Sequence, residues 1–202
     1  RILGYDNNAE HRIEISSRNL VDYLAAVPDK KLTEAQLILL AVPVKAFAKV
    51  ISQIRPHLSS DAVLTDVSSV KSPLLNTMCS PENAAIRFVG GHPITGSENF
   101  GPSASQDNLF AGKHFILTPS KNTDRNVLRT VRELWESLGA EVSEMDAEAH
   151  DQMFASVSHL PHLLAYASIH AITNSDKPDA LGQSGAGLKD FSRIASSSPE
   201  MW

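Results

Sequence analysis

The sequence predicts an α/β fold with a mostly parallel sheet, followed by the start of an all-helical domain. Three observations predict it. Short apolar runs alternate with stretches of helical periodicity through the first 145 residues, the pattern of right-handed crossovers between parallel strands. The run Leu37-Ile38-Leu39-Leu40-Ala41-Val42 is apolar on both faces, as a strand covered by helices on each side must be. After Met145 the strand-like runs stop and apolar residues recur at helical spacing.

In chain order, strands are expected at 2–5, 36–42, 62–66, 87–90, 114–118 and 141–145. Helices are expected at 10–24, 44–55, 71–78 and 124–138. Asp146 can cap a helix, and 147–173 has helical spacing with Pro161 inside it. A proline there removes a backbone donor and predicts a kink. From Pro178 the text is again helix-like, broken by Gly182, Gly185 and Gly187. The division is therefore 1–145, an α/β domain, and 146–202, a helical one.

Composition narrows the function. Of 202 residues, 42% are hydrophobic and 20% charged, so a core can form and the chain falls outside the disordered class. Asp plus Glu number 23 against 18 Lys plus Arg, a net charge of −5 with no basic run, which argues against nucleic-acid binding. Cys79 is the single cysteine, excluding an internal disulfide framework and thiolate-rich zinc sites and fitting a cytoplasmic location. The longest apolar run, 37–43, is far too short to span a membrane. Arg1-Ile2-Leu3-Gly4-Tyr5 reads as a strand already under way and Met201-Trp202 ends without a polar taper, so a longer chain is expected at both ends.

In an open parallel sheet, ligands bind beyond the carboxyl ends of the strands, so the residues leaving each strand are read first. Asp6 follows the first strand. It suits either a helix cap or the acidic residue that accepts from the adenine ribose hydroxyls in dinucleotide-binding folds, where its charge favours NAD over NADP. That role needs a glycine-rich turn upstream, expected before Arg1. Ser69 follows the strand at 62–66, and His92 follows Gly90-Gly91 after the strand at 87–90. The two leave the sheet at one edge, where His92 suits a general base or a loop histidine bonded to backbone. A hydrolase reading fails for lack of a Gly-x-Ser-x-Gly elbow. His159 and His162 stand three apart on one helix face, a spacing poor for a metal pair, and no metal is expected. His150 and Asp151 are expected on a solvated first turn, and His170 in a core. Gly182-Gln183-Ser184-Gly185-Ala186-Gly187 follows a helix rather than a strand. It is therefore read as a turn aiming Lys189, Asp190 and Arg193, not as a nucleotide loop; Arg193 suits a carboxylate fork or a surface ion pair with Asp190.

Five ordered stretches carry a resemblance. They are Asp66-Val67-Ser68-Ser69-Val70-Lys71; Gly90-Gly91-His92-Pro93-Ile94-Thr95-Gly96-Ser97-Glu98; Leu109-Phe110 with Ile116-Leu117-Thr118-Pro119; Ser158-His159-Leu160-Pro161-His162; and Gly187-Leu188-Lys189-Asp190-Phe191-Ser192-Arg193-Ile194-Ala195 running on to Pro199-Glu200-Met201-Trp202. Together they resemble the prephenate/arogenate dehydrogenase family of tyrosine biosynthesis. The resemblance implies a Rossmann-like sheet lacking its first strand and glycine-rich loop, NAD as cofactor, a small-molecule substrate (prephenate or arogenate) and a homodimer. The reaction implied is oxidative decarboxylation: hydride leaves the ring carbon bearing the 4-hydroxyl, and the ring carboxylate departs as CO2. It further implies His92 as the base on the 4-hydroxyl, with Ser69 orienting that hydroxyl, His92 or the nicotinamide. Arg193 would sit on a substrate carboxylate, Glu98 beside Arg193 or at the entrance, His159 or His162 near the substrate side chain, and Trp202 reaching the site across the dimer. Asp6, Val42, Pro43 and Ser69 are the implied cofactor contacts. His162, a donor for a keto oxygen, tilts the choice toward prephenate. Lacking the loop and the closing helices, the chain by itself is expected to be poorly active.

Overall fold

The structure is a computed structural model that describes residues 1–96, 101–175, 182 and 185–197. Strand β1 (Leu3–Tyr5) leads into α1 (Ala9–Ser17), capped by Asn8, whose side chain accepts from the backbone of Glu10 and His11. The helix stops at Arg18, Asn19 turns into the left-handed region at φ 51°, and the chain returns as β2 (Tyr23–Ala25), parallel to β1. The single helix expected over 10–24 is thus a helix, a turn and a strand. Asn is one of the few residues that enters αL cheaply, and Asn19 here marks the end of the helix.

The main sheet has the order β3-β4-β5-β6-β7, built from β3 (Leu37–Leu40), β4 (Val63–Asp66), β5 (Arg87–Pro93), β6 (His114–Thr118) and β7 (Glu141–Glu144). All pairings are parallel except β5 with β6. The alternation of side chains divides the core between two faces. Leu64 and Phe88 join Leu40 against α2 (Phe47–Ile54) and α3 (Ser72–Met78). Val63 and Val89 join Phe115 and Leu117 against α4 (Arg125–Ser137), where the Trp135 ring stacks on Phe115 at 3.9 Å between centroids. β4 is buried along its whole length, whereas β3, expected to be covered on both faces, exposes Leu39 on one of them.

Helix α5 (Ala147–Phe154) begins under the cap of Asp146 and packs on α3. It passes through a π-helical turn, Ala155–His159, into α6 (Leu160–Thr173), with Pro161 in the first turn of α6. The kink expected at Pro161 therefore takes the form of a widened turn. Proline offers no N–H to the carbonyl four residues back and its ring crowds that carbonyl, and the looser winding relieves both. Helix α7 (Ala186–Ala195) packs along α6, held by the Tyr166 hydroxyl, which donates to the Ser197 carbonyl at 2.6 Å. Among the described residues no helix is long and apolar enough to cross a membrane.

Candidate active site

The carboxyl ends of β4 and β5 meet the starts of α3 and α5. β5 runs past Gly90, and His92 lies within it, opposite Ile116 of β6, not on a loop after it. That continuation depends on two glycines. A Cβ at Gly90 would fall 2.5 Å from Thr118 Oγ1, and one at Gly91 2.7 Å from both the Asp66 carbonyl and the Phe115 ring. Glycine is required because the strand passes too close to its neighbours for a side chain.

His92 Nδ1 lies 2.8 Å from His150 Nε2, and His150 Nδ1 lies 2.9 Å from Asp151 Oδ1. The backbone N–H of Lys71 donates to Asp151 Oδ1 and that of Ser72 to Asp151 Oδ2, both at 2.8 Å. With its own burial acting to raise it, the Asp151 carboxyl is nonetheless held below the ordinary range, because His150 and these two N–H groups donate to it. The hydrogen-bond polarity of the chain follows from there. An ionised carboxylate only accepts, so His150 carries its proton on Nδ1 and presents a lone pair at Nε2. His92 must then donate from Nδ1, which leaves its own Nε2 unprotonated. The result is an imidazole locked in the tautomer a general base needs.

Burial reinforces this. Desolvation lowers His92 to a pKa of about 3, helped by the nearby His150, Lys71 and His159 and opposed by Asp151. His150, whose side chain is fully buried, is lowered for the same leading reason, as is the half-buried His159. The Phe154 ring closes this corner, 4.9 Å from His92 and 4.6 Å from His150 between centroids.

Beneath the histidines lies a buried ion pair. Lys71 Nζ sits 2.5 Å from Asp66 Oδ2 and donates to the Gly91 carbonyl at 2.5 Å, while Asp66 accepts from the backbone of Ser68 and Gly91.

The remaining residues singled out in the sequence are distributed around this centre. Ser69 is half-buried at the exit of β4, next to Ser68, whose hydroxyl is buried and has no hydrogen-bond partner. His92 Nδ1 is bonded to His150 rather than to Ser69. His159 ends the π turn within electrostatic reach of His92 and Asp151. His162, one turn on, has Nδ1 3.0 Å from the Ser158 carbonyl. Arg193 is exposed near the end of α7. Asp6 ends β1 with one carboxylate oxygen accepting from the Asn8 backbone and the other 3.1 Å from His11 Nδ1. Val42 is half-buried and Pro43 exposed at the exit of β3. Glu98 and Trp202 lie outside the described residues.

The expectation that His150 and Asp151 sit on a solvated turn is overturned. Ala147, His150 and Phe154 form the buried stripe of α5, and their spacing of three and four is the signal that would have placed His150 inside. Asp66 and Lys71 are visible in the sequence only as neighbours of Ser69; their pairing depends on the approach of β5.

Comparison with known proteins agrees with the geometry. Residues 1–144 match the family described as prephenate dehydrogenase, nucleotide-binding domain, and residues 146–202 match prephenate dehydrogenase, dimerization domain. The chain is 33% identical to cyclohexadienyl dehydrogenase of Zymomonas mobilis, covering 98% of this chain and 68% of that protein. It is 30% identical to prephenate dehydrogenase of Bacillus subtilis, covering all of this chain and 55% of the relative. Its structure resembles that of prephenate dehydrogenase from A. aeolicus in complex with hydroxyphenyl propionate and NAD+, with a TM-score of 0.88 and 37% identity over 99% of this chain and 70% of that one. Synechocystis arogenate dehydrogenase is similar at a TM-score of 0.71 and 31% identity, over 98% of this chain and 72% of that one.

Proposed function

The chain belongs to the prephenate dehydrogenase family, and from that membership we propose that it serves NAD-dependent oxidative decarboxylation of prephenate to 4-hydroxyphenylpyruvate, with His92 as the base. The observation that carries this reading is the Asp151–His150–His92 chain, which leaves a lone pair on His92 Nε2 at the carboxyl edge of the sheet. An imidazole that is neutral at physiological pH and fixed through its Nδ1–H presents Nε2 in the orientation that removal of a hydroxyl proton needs.

NAD fits the residues present. The partnerless buried hydroxyl of Ser68 stands at the exit of β4, and the Asp6 carboxylate, oriented by Asn8, ends β1 at the edge where an open sheet takes its ligand. Asp6 would accept from the adenine ribose, and Val42, Pro43 and Ser69 would line the cofactor's path. When bound, NAD supplies the hydride acceptor. The protein's part is to align the substrate and accept one proton, because formation of the aromatic ring provides the driving force. His92 Nε2 takes the proton of the 4-hydroxyl as that carbon becomes carbonyl-like, and Ser69 orients the hydroxyl. Arg193 pairs with a substrate carboxylate, Glu98 and Trp202 border the entrance, and His162, with His159, faces the side-chain keto group. Segments 1–145 and 146–202 act as cofactor and substrate domains, the second also joining two copies into a homodimer in the cytoplasm.

Replacing His92 by Asn tests the reading. Turnover should fall by roughly 10²–10⁴-fold with NAD affinity nearly unchanged; equal loss of both would make His92 structural. Assayed side by side, prephenate should be turned over in preference to arogenate, and the reverse preference would transfer the same chemistry to arogenate. Because desolvation pushes His92 to about 3, the acid limb of the free protein's kcat/KM should lie below the pH of an ordinary imidazole titration.

A further inference from the structure

We propose that Lys71 is a positioning residue of this site, holding both ends of the Asp151–His150–His92 chain so that the His92 Nε2 lone pair stays available. The inference rests on reading His92 as the base, and it assigns a task to a charge which that reading does not use.

Lys71 is 1% exposed and Asp66 wholly buried. Burying an ammonium is expensive, and an apolar side chain of similar length would pack the same space without the penalty. The residue reaches the histidines from two directions, its charge from one and its backbone from the other. Its Nζ donates to the Gly91 carbonyl, one residue before His92, and its backbone N–H donates to Asp151 Oδ1, the oxygen that receives the His150 proton. One residue therefore ties the base's strand to the carboxylate at the far end of the chain.

Electrostatics favours the same outcome. The groups facing this corner are Lys71 at the start of α3, Asp66 at the end of β4, paired with Lys71 and accepting from the Gly91 N–H, His150 and Asp151 on α5, and His159 at the end of the π turn. Of these, Lys71 is the ammonium: burial lowers its pKa, the carboxylate of Asp66 opposes that, and its charge disfavours a proton on His92. The backbone bonds to Asp151 survive any side-chain change at position 71, so substitution isolates the ammonium.

The test follows His92 ring nitrogens by 15N NMR as pH is varied, in the unaltered chain, in Lys71→Met, and in Asp66→Asn/Lys71→Met, which leaves no unpaired buried charge. The unaltered chain should hold His92 protonated on Nδ1 with its titration well below pH 5. Lys71→Met should move that titration up by about one pH unit, and the double variant, which loses the Asp66 charge with the ammonium, should move it up by less, with the acid limb of kcat/KM following it and KM changing little. An unmoved titration, with thermal stability alone reduced, would make Lys71 a strut and overturn the proposal. So would a His92 that titrates at or above pH 6 in the unaltered chain, a result that needs no variant to fold. Retained turnover in His92→Asn would instead remove the base assignment while leaving the NMR result standing, so the two failures are separable.

Discussion

At the scale of single side chains, the site is a problem of acceptors and donors. Asp151 can only accept, and three donors saturate its near side: two backbone N–H groups and the His150 ring. Asp151→Asn would bring an amide donor against one of those donors and release the tautomer of His150, and through it that of His92. Turnover should fall by roughly 10²-fold or more with little change in substrate KM, read by steady-state kinetics. The same groups make stability depend on pH. In the unfolded chain His92 takes up a proton near pH 6.5, whereas in the fold it resists protonation down to about 3. Stability is therefore fully present above pH 6.5 and drains away as pH falls through that window. The lowered Asp151 adds a loss of the same sign further into acid. Thermal melts between pH 8 and 4 should show Tm falling with acid, and His92→Asn should flatten the slope.

Elements supply the tolerances within which those side chains meet. β5 brings His92 to the site only because Gly90 and Gly91 let it pass Asp66, Thr118 and Phe115 at backbone distance. Gly91→Ala should cost about 1–3 kcal/mol in denaturant unfolding and reduce turnover as well, since the clash lies beside the base. Helix α4, by contrast, only shields the sheet. Its cap Asp124 accepts from the N–H groups of Asn126 and Val127. Asp124→Ala should cost about 1 kcal/mol and leave kcat alone. Comparing the two variants separates an element that places chemistry from one that covers a core.

Across the whole molecule, packing is uneven. The central strands of the five-stranded sheet are buried on both faces, while β1, α1 and β2 form a separate parallel pair with a helix that buries no residue fully. This unit is joined to the rest by the packing of Tyr5 against the core, by the Tyr5 and Tyr23 hydroxyls, which donate to Asp29, and by Arg18, which donates to the Pro102 carbonyl. Few buried contacts mean cheap local opening, so hydrogen exchange should be faster in 3–25 than in β4, β5 or α4. Uniform protection across the chain would contradict that reading. At this scale, too, the described residues of the helical segment expose Met153, Val157, Leu160, Leu163 and Leu164 along one continuous helical run.

Much of this could be read from the chain before any coordinates. Period and composition carry the α/β class and the helices α2, α3 and α4, because each is dictated by local alternation of apolar and polar residues, but they overstate the burial of β3, whose Leu39 is exposed. The five ordered stretches carry the family, and through it the proposal of His92 and Ser69 as site residues. Local text misjudged β2, where three residues of strand are too short for periodicity to reveal, and it misjudged His150, Asp151 and His170, the last of which is exposed on α6 rather than in a core. A charged or titratable residue at a helix start looks solvated in sequence, and only the docking of α5 against the first turn of α3 turns it inward. The side chains that hold the base were present in the text from the outset. Their partnership spans 58 to 80 positions, and a bond across that distance exists only once the strands have paired and the two glycines have let them close.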